Sequence, residues 1–356
     1  MSIQTRLIED RDLPALIRAL DQGFIGPLLS RMQRSGSREG LSVTWSTEVL
    51  NHKLGRRCTI RYSPLADNYD ERRPMRPVVG KVYSDRLKAG RVYDWIGTLR
   101  SILSGDWVGG GIPAPLGLLP ELGMVIQEHV DGVDLRHLFH TNNWEPPLTQ
   151  AAQWLASLHT TPIIGGLKTK SLEHELDRAE RWCAELLPCI SPTTQERSRR
   201  TMGLLHQMAR RMGGYQETMI HRDFYDAQVL WDGARVWIVD FDQLSVGDPA
   251  LDLGHFVAHL ASFAYRVTGR PDSLATQARV LIETYEAWNP ISIESRLPFY
   301  KACTFMKLAA KEARRKREDW QQSVSVLTDL ACEELEAASR PSPWEPAGEA
   351  YSAKSR

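Results

Sequence analysis

The chain has 356 residues, with 44 Lys and Arg against 44 Asp and Glu, and is 42% hydrophobic and 25% charged. That length suits two domains or one large two-lobed unit, and the even charge gives no support to a nucleic-acid or anionic-membrane partner. Five scattered cysteines (Cys58, Cys183, Cys189, Cys303 and Cys332), odd in number and without CxxC spacing, point to reduced thiols in a cytoplasmic protein, not to a disulfide framework or a zinc site.

The N-terminal stretch lacks the apolar core of a signal peptide. "RDLPALIRALDQGFIGPLLSRM" has helical spacing of Leu and Ile, and "QRSGSREG" breaks it. From Leu41 the texture changes: "SVTWSTEVL", "RRCTIRYSP" and "PVVGKVYSD" are short β-type runs bounded by turn residues. "DRLKAGRVYDWIGTLRSIL" reads as a helix and "LGLLPELGMVIQEHV" as a strand hairpin. Beyond Gly132 the chain is helical through "LTQAAQWLASLHT", "SLEHELDRAERWCAELL" and "QERSRRTMGLLHQMARRM", and again to about Ala338. One β island interrupts it: "AQVLWDGARVWIVDFD" holds two apolar runs around Asp232-Gly233, a hairpin signal. The expected plan is a helical extension over 1–40, a β-rich lobe over 41–130, a mainly helical lobe over 131–340 and a flexible tail over 341–356. This is an α+β chain with an interlobe cleft, its lobes joined near Gln127 to Gly132.

The island carries the chemistry. Asp223 precedes its first strand, Gln228 opens that strand, Asp240 ends the second strand, and Asp242 follows. A hairpin brings the "HRD" loop and the "DFD" turn to one end. Carboxylates and an amide gathered there are what phosphoryl transfer requires: a base for the acceptor hydroxyl and oxygen ligands for magnesium.

In this order and spacing, "HRDFYDAQVL", "IVDFDQ" and "GDPALDLGHF" resemble the aminoglycoside phosphotransferase and choline kinase-like family. The matched core runs from His221 to Phe256, with fainter echoes in "VVGKVYSD", "MVIQEHVDGVDL" and "LASLHTTP". The resemblance implies a two-lobed protein-kinase-like fold, ATP or GTP as donor, Mg2+, and a small-molecule hydroxyl acceptor such as an aminoglycoside-like antibiotic, amino alcohol or sugar. It implies Asp223 as catalytic base, Asp240 as metal ligand, Lys81 on the nucleotide phosphates and Asp252 as a brace of the catalytic loop. The position of Asp242 is often acidic in relatives and would touch metal or substrate. The base would lie against the hinge from Glu128 to Val130.

There are departures from the family pattern. Gln228 stands for the usual asparagine, with the same amide oxygen on a stem one methylene longer, and is expected still to reach Mg2+. The helix after Lys81 has no glutamate; of its two carboxylates, Asp85 and Asp94, Asp94 is the better placed to pair with the lysine. No GxGxxG covers the phosphates. "LNHKLGRRCTIRY" takes its place, with Gly55 in the turn; Arg56 and Arg57 are either substitutes for the missing backbone donors or solvated turn residues.

Only Gln243 to Val246 separate "DFD" from "GDPALD", too few for the activation segment of a protein kinase. His221 is expected to be structural, and Tyr225 and Asp226 to face the acceptor. The acidic stripe of Glu173, Asp177 and Glu180 and the basic run Lys307–Arg317 are expected to be solvated helix faces. The alternative to a small-molecule kinase is a pseudokinase that keeps the fold as a nucleotide- or partner-binding module. Nucleotide and a small hydroxyl compound are the expected partners of a monomer or homodimer, with no nucleic acid and no membrane.

Overall fold

The computed structural model describes residues 10–33, 43–65, 75–103 and 110–340; most of the "QRSGSREG" break and the tail over 341–356 lie outside them. In chain order the elements begin with α1 (Ala15–Leu20), α2 (Gln22–Gln33), β1 (Trp45–Lys53), β2 (Arg57–Pro64), β3 (Val78–Tyr83) and α3 (Arg86–Leu103). There follow β4 (Gly110–Gly111), β5 (Pro115–Leu119), β6 (Met124–Glu128), β7 (Val133–Asp134) and α4 (Glu145–Thr160). Next come β8 (Thr169–Lys170), α5 (Leu172–Leu186), α6 (Pro192–Arg211), β9 (Thr218–Ile220), β10 (Val229–Trp231), β11 (Val236–Ile238) and β12 (Ser245–Gly247). The chain ends in α7 (Ala250–Thr268), α8 (Ala275–Trp288), α9 (Leu297–Arg315) and α10 (Trp320–Ala338). By compactness it divides into a first unit of Met1–Lys168, Thr218–Val246 and Thr276–Pro290, and a second of Thr169–Glu217, Gly247–Ala275 and Ile291–Arg356.

The first unit is built on an antiparallel sheet of order β1-β2-β3-β6-β5. Its strands alternate faces with period two. Along β2, Cys58, Ile60 and Tyr62 are fully buried, while Arg57, Thr59, Arg61 and Ser63 are half-buried on the other side. The apolar face packs with Val78, Val82, Met124 and Ile126 against Leu13, Leu16, Ile25 and Leu29 of the N-terminal segment. A Cβ at Gly80 would lie 2.8 Å from the Tyr62 ring and would also strike Met124, so only glycine fits there. Polar pegs fix the helices to this face: Tyr62 donates to the Ala19 carbonyl at 2.7 Å, and the Trp45 indole donates to Ser30 Oγ at 3.1 Å. The run expected as one N-terminal helix is two. Asp21 is extended (φ −76°, ψ 106°), and its carboxylate accepts from the Gly23 amide at 2.9 Å at the start of α2.

A second small sheet, β4-β11-β10-β7, contains the Asp232-Gly233 hairpin. Helix α4 supports it: Gln150 donates to the Ala234 carbonyl and accepts from the Val236 amide.

The second unit is helical, with α9 packed against α5, α7 and α10. Serine caps start two of its helices, Ser171 accepting from His174 N and Ser191 from Thr194 N. Gly254 permits close approach of α7 to α9, since a Cβ there would sit 2.7 Å from Tyr300 Cβ. The acidic stripe of Glu173, Asp177 and Glu180 is exposed, as expected. The basic run is not: α9 is buried along most of its length, Glu312 included, and only Arg314 to Arg317 at its end are exposed. Its apolar face is taken by neighbouring helices, which residue charges alone do not reveal.

Among the described residues no helix is long and apolar enough to cross a membrane. All five cysteines are free thiols, and all but Cys189 are buried.

Candidate active site

The half-buried face of β2 and β3 supplies the cations. Register places Arg57 opposite Tyr83 and Thr59 opposite Lys81, so Arg57, Lys81 and Tyr83 share that face. The hairpin supplies the anions. Asp240, after β11, adopts a left-handed backbone (φ 67°, ψ 60°), and the 3-10 turn Phe241–Gln243 follows. A non-glycine residue in that region is strained, and such strain collects at functional turns; Arg222 in the "HRD" loop is a second case (φ 65°).

These two pieces meet in a buried charge cluster. Lys81 Nζ donates to Asp240 Oδ1 and to Asp242 Oδ1, each at 2.7 Å. Arg57 grips Asp240 with both terminal nitrogens, at 3.1 and 2.9 Å, and pairs with Asp242 as well. Tyr83 donates its hydroxyl to Asp242 Oδ1 at 2.7 Å. Two cations face two anions, which is how buried charge is tolerated. Burial alone would raise the Asp240 carboxyl, but the Lys81 ammonium and the Arg57 guanidinium hold it well below the usual carboxylate range. Burial pushes Lys81 down to about 8, with Asp240 opposing that shift and Arg57 adding to it.

The catalytic-type loop rests on an aromatic floor. Trp154 of α4 stacks on Phe224 (6.2 Å between centroids) and meets Phe241 at 6.0 Å. His221 packs against both phenylalanines and donates from Nε2 to the Val239 carbonyl at 3.1 Å; fully buried, it ties loop to hairpin. Asp223 is half-buried and lies within electrostatic reach of Asp240 and Tyr225. Burial first, then Asp223 and Asp226, push the Tyr225 hydroxyl up to about 12. Gln228 turns its amide nitrogen toward the Tyr225 hydroxyl at 3.3 Å, and among the described residues its amide oxygen is uncommitted.

The turn standing in for a glycine-rich loop is clamped from the N-terminal segment. Asp10 accepts from the Gly55 amide and from His52 Nε2, both at 2.8 Å. Burial would raise the Asp10 carboxyl, but these donors hold it below its ordinary value. Gly55 is left-handed (φ 67°), which suits glycine. Glu128 and Val130 line a cavity of about 540 Å3 with Arg61, Ser63, His129 and Trp237. Arg61 and Ser63 continue the β2 face that carries Arg57, so cavity and cluster share one strand face.

Several expectations need correction. The carboxylate partner of Lys81 does not come from α3: Asp85 is exposed and pairs with Arg91, and Asp94 is exposed. Asp242 is less accessible to a metal than Asp240, its side chain being 1% exposed against 16%. Asp226 does not face outward to an acceptor; it is buried and paired with Arg136 at 2.9 Å. Arg57 is not a solvated turn residue, whereas Arg56 is exposed. No correction applies to Asp252, which is fully buried in the first turn of α7.

Three residues near the cluster were not foreseen. Lys53 lies across from Arg57 in the β1–β2 register and feels both Asp223 and Asp240. Tyr83 and Lys88 complete the group, each ammonium of Lys81 and Lys88 lying 5.8 Å from the Tyr83 ring centroid. The two-residue spacing from Lys81 to Tyr83 was the available signal, because it puts both on one face.

A search of curated protein sequences returns no match. Solved structures match in fold. The choline kinase from Cryptosporidium parvum Iowa II aligns with TM-score 0.60 and 11% identity over 89% of this chain and 96% of its own. The choline kinase LicA from Streptococcus pneumoniae aligns with TM-score 0.56 and 15% identity over 88% and 98%. A thermostable mutant of the aminoglycoside phosphotransferase APH(4)-Ia, in a ternary complex with ADP and hygromycin B, aligns with TM-score 0.58 and 12% identity over 88% and 98%. These likenesses establish the two-lobed, protein-kinase-like α+β fold. The model of the phosphotransferase enzyme family matches residues 81–291, more than half of the chain. That span opens on Lys81 and contains Asp223, Gln228, Asp240 and Asp242, so the chain belongs to the phosphotransferase enzyme family.

Proposed function

We propose that the chain transfers the γ-phosphoryl group of ATP or GTP to a hydroxyl of a small molecule, of the aminoglycoside-like, amino alcohol or sugar class. The observation that carries this reading is the buried cluster of Lys81, Arg57, Asp240 and Asp242 next to the half-buried Asp223. In it, Lys81 holds phosphate oxygens, and Arg57 supplies the charge that a glycine-rich loop would supply with backbone donors. Asp223 accepts the proton of the acceptor hydroxyl and aims its oxygen at the γ-phosphorus. Catalysis is then mostly positioning and charge neutralisation.

The donor set fits Mg2+, a hard ion that takes oxygen ligands and keeps several waters. Asp240, its side chain still 16% exposed, and the uncommitted amide oxygen of Gln228 would hold it. The chemistry such an ion would supply there is neutralisation of phosphate charge. Glu128 to Val130 would flank the base in the cavity they line. Residues 41–130 would thus be the nucleotide-binding lobe and 131–340 the catalytic and acceptor-binding lobe. Tyr225 would contact the acceptor, while His221 and Asp252 serve as structural support. Reduced thiols and a nucleotide substrate suit a cytoplasmic location.

The test is acceptor-dependent release of ADP or GDP across a panel of antibiotics, amino alcohols and sugars. Release with one class, abolished in Asp223→Asn, is the expected result. A thermal shift with Mg·ATP or Mg·GTP but no release with any acceptor would leave a nucleotide-binding pseudokinase. No shift and no release would overturn the proposal.

A further inference from the structure

We propose that Asp242 is the positioning partner of Lys81, so that the "DFD" turn carries both the metal-facing carboxylate and the counter-charge of the lysine. This assignment rests on the phosphotransferase reading of the cluster and goes further by separating the tasks of its two aspartates.

In protein kinases the phosphate-binding lysine is held by a glutamate of the following helix. Helix α3 has no glutamate and one aspartate, Asp94; both Asp94 and Asp85, just before the helix, are exposed. A buried ammonium still needs a fixed anion, and two are in reach. They differ in access. The Asp240 side chain is 16% exposed, the Asp242 side chain 1%. A hydrated divalent ion arriving with a nucleotide can reach the first but not the second. They differ also in saturation. Asp242 Oδ1 takes both the Lys81 ammonium and the Tyr83 hydroxyl, and the Arg57 guanidinium pairs with the carboxylate as well, all from the β2–β3 face. Asp240 takes only the two cations. When its charge is shared with a metal, Asp242 remains as the undiluted partner that keeps Lys81 aimed.

The left-handed turn at Asp240 explains how one short segment can do both. It lets residues two apart present carboxylates to the same ammonium. A consequence follows for control: lysine placement is coupled to the metal-site turn, not to α3, so movement of that helix would not switch the site.

The experiment is a double-mutant cycle, read as the affinity of a fluorescent ATP analogue with and without MgCl2. Asp242→Asn and Lys81→Met are each expected to weaken binding about tenfold, and the double variant to bind no more weakly than Lys81→Met alone. The Mg2+ concentration for half-maximal turnover should be unchanged in Asp242→Asn. Losses that multiply in the double variant, or a raised Mg2+ requirement, would overturn the assignment. Tyr83→Phe tests the same contact without deleting a buried charge: about a two- to threefold loss is expected beside Lys81 and none beside Lys81→Met. Full affinity of Tyr83→Phe beside Lys81 would count against it. Asp94→Asn should bind normally; a loss as large as that of Lys81→Met would return the partner role to α3. A wild-type chain that bound no nucleotide under either condition would remove the phosphotransferase reading itself, and the assignment with it.

Discussion

The two faces of the five-stranded sheet share strands and differ in everything else. On one, Cys58, Ile60, Tyr62, Val78 and Val82 are sealed under the N-terminal helices. On the other, Arg57, Lys81 and Tyr83 converge on two aspartates 159 to 185 residues away in the chain. Because side chains alternate, a one-residue slip would exchange a lysine for a valine in the core. The apolar face therefore fixes the register that the charged face needs. On the proposed function, stability and activity would be carried by neighbouring residues on the same strands, and they should come apart on mutation.

The sharpest separation comes from Asp223→Asn, which should lower kcat about 10^2- to 10^4-fold, the range for losing a positioned base. Nucleotide affinity and the urea midpoint should stay near wild type; a large shift in the midpoint would show that Asp223 is structural. The converse is Leu16→Ala behind the sheet. Leu16 is fully buried, so about 2–5 kcal/mol of stability should be lost by urea denaturation, with KM for nucleotide little changed while the protein stays folded.

Proton linkage divides the faces next. Lys81 sits at about 8, against 10.5 for an ordinary lysine. Between those values the unfolded chain binds more protons than the folded one, so the contribution of Lys81 to stability rises with pH there. Phosphate binding runs the other way. As pH climbs through about 8 the ammonium is lost, and nucleotide affinity should fall by up to about tenfold per unit. Lys81→Met should flatten both profiles.

Tyr62→Phe removes the bond to Ala19 and should cost about 1 kcal/mol in chemical denaturation, with no change in turnover. The smallest effect is expected from Asp85→Asn. Its exposed pairing with Arg91 is worth within about 0.5 kcal/mol, and activity should not move. A marked loss of activity there would reopen a role for α3.

Much of this was legible in advance. The strands, the Asp232-Gly233 hairpin and the helices announce themselves through period and turn residues, and the order of "HRD", "DFD" and "GDPALD" brought Asp223, Gln228 and Asp240 to one end of the hairpin. Less was legible where a side chain is committed by a remote partner. Asp226 looks like a free carboxylate beside Tyr225 until Arg136, ninety positions earlier, is seen to bind it. The charges of α9 suggest a solvated face until its neighbours bury it. Lys53 was hidden because its significance lies in cross-strand register with Arg57, not in any motif.

The sequence by itself determined which residue types could perform phosphoryl transfer and in what order they occur, because local backbone preferences and short spacings are set by neighbours along the chain. The division of labour between Asp240 and Asp242, the recruitment of Arg57, and the absence of α3 carboxylates from the lysine were decided only by tertiary structure. Each depends on which charges are buried together, and burial is a property of packing between distant segments.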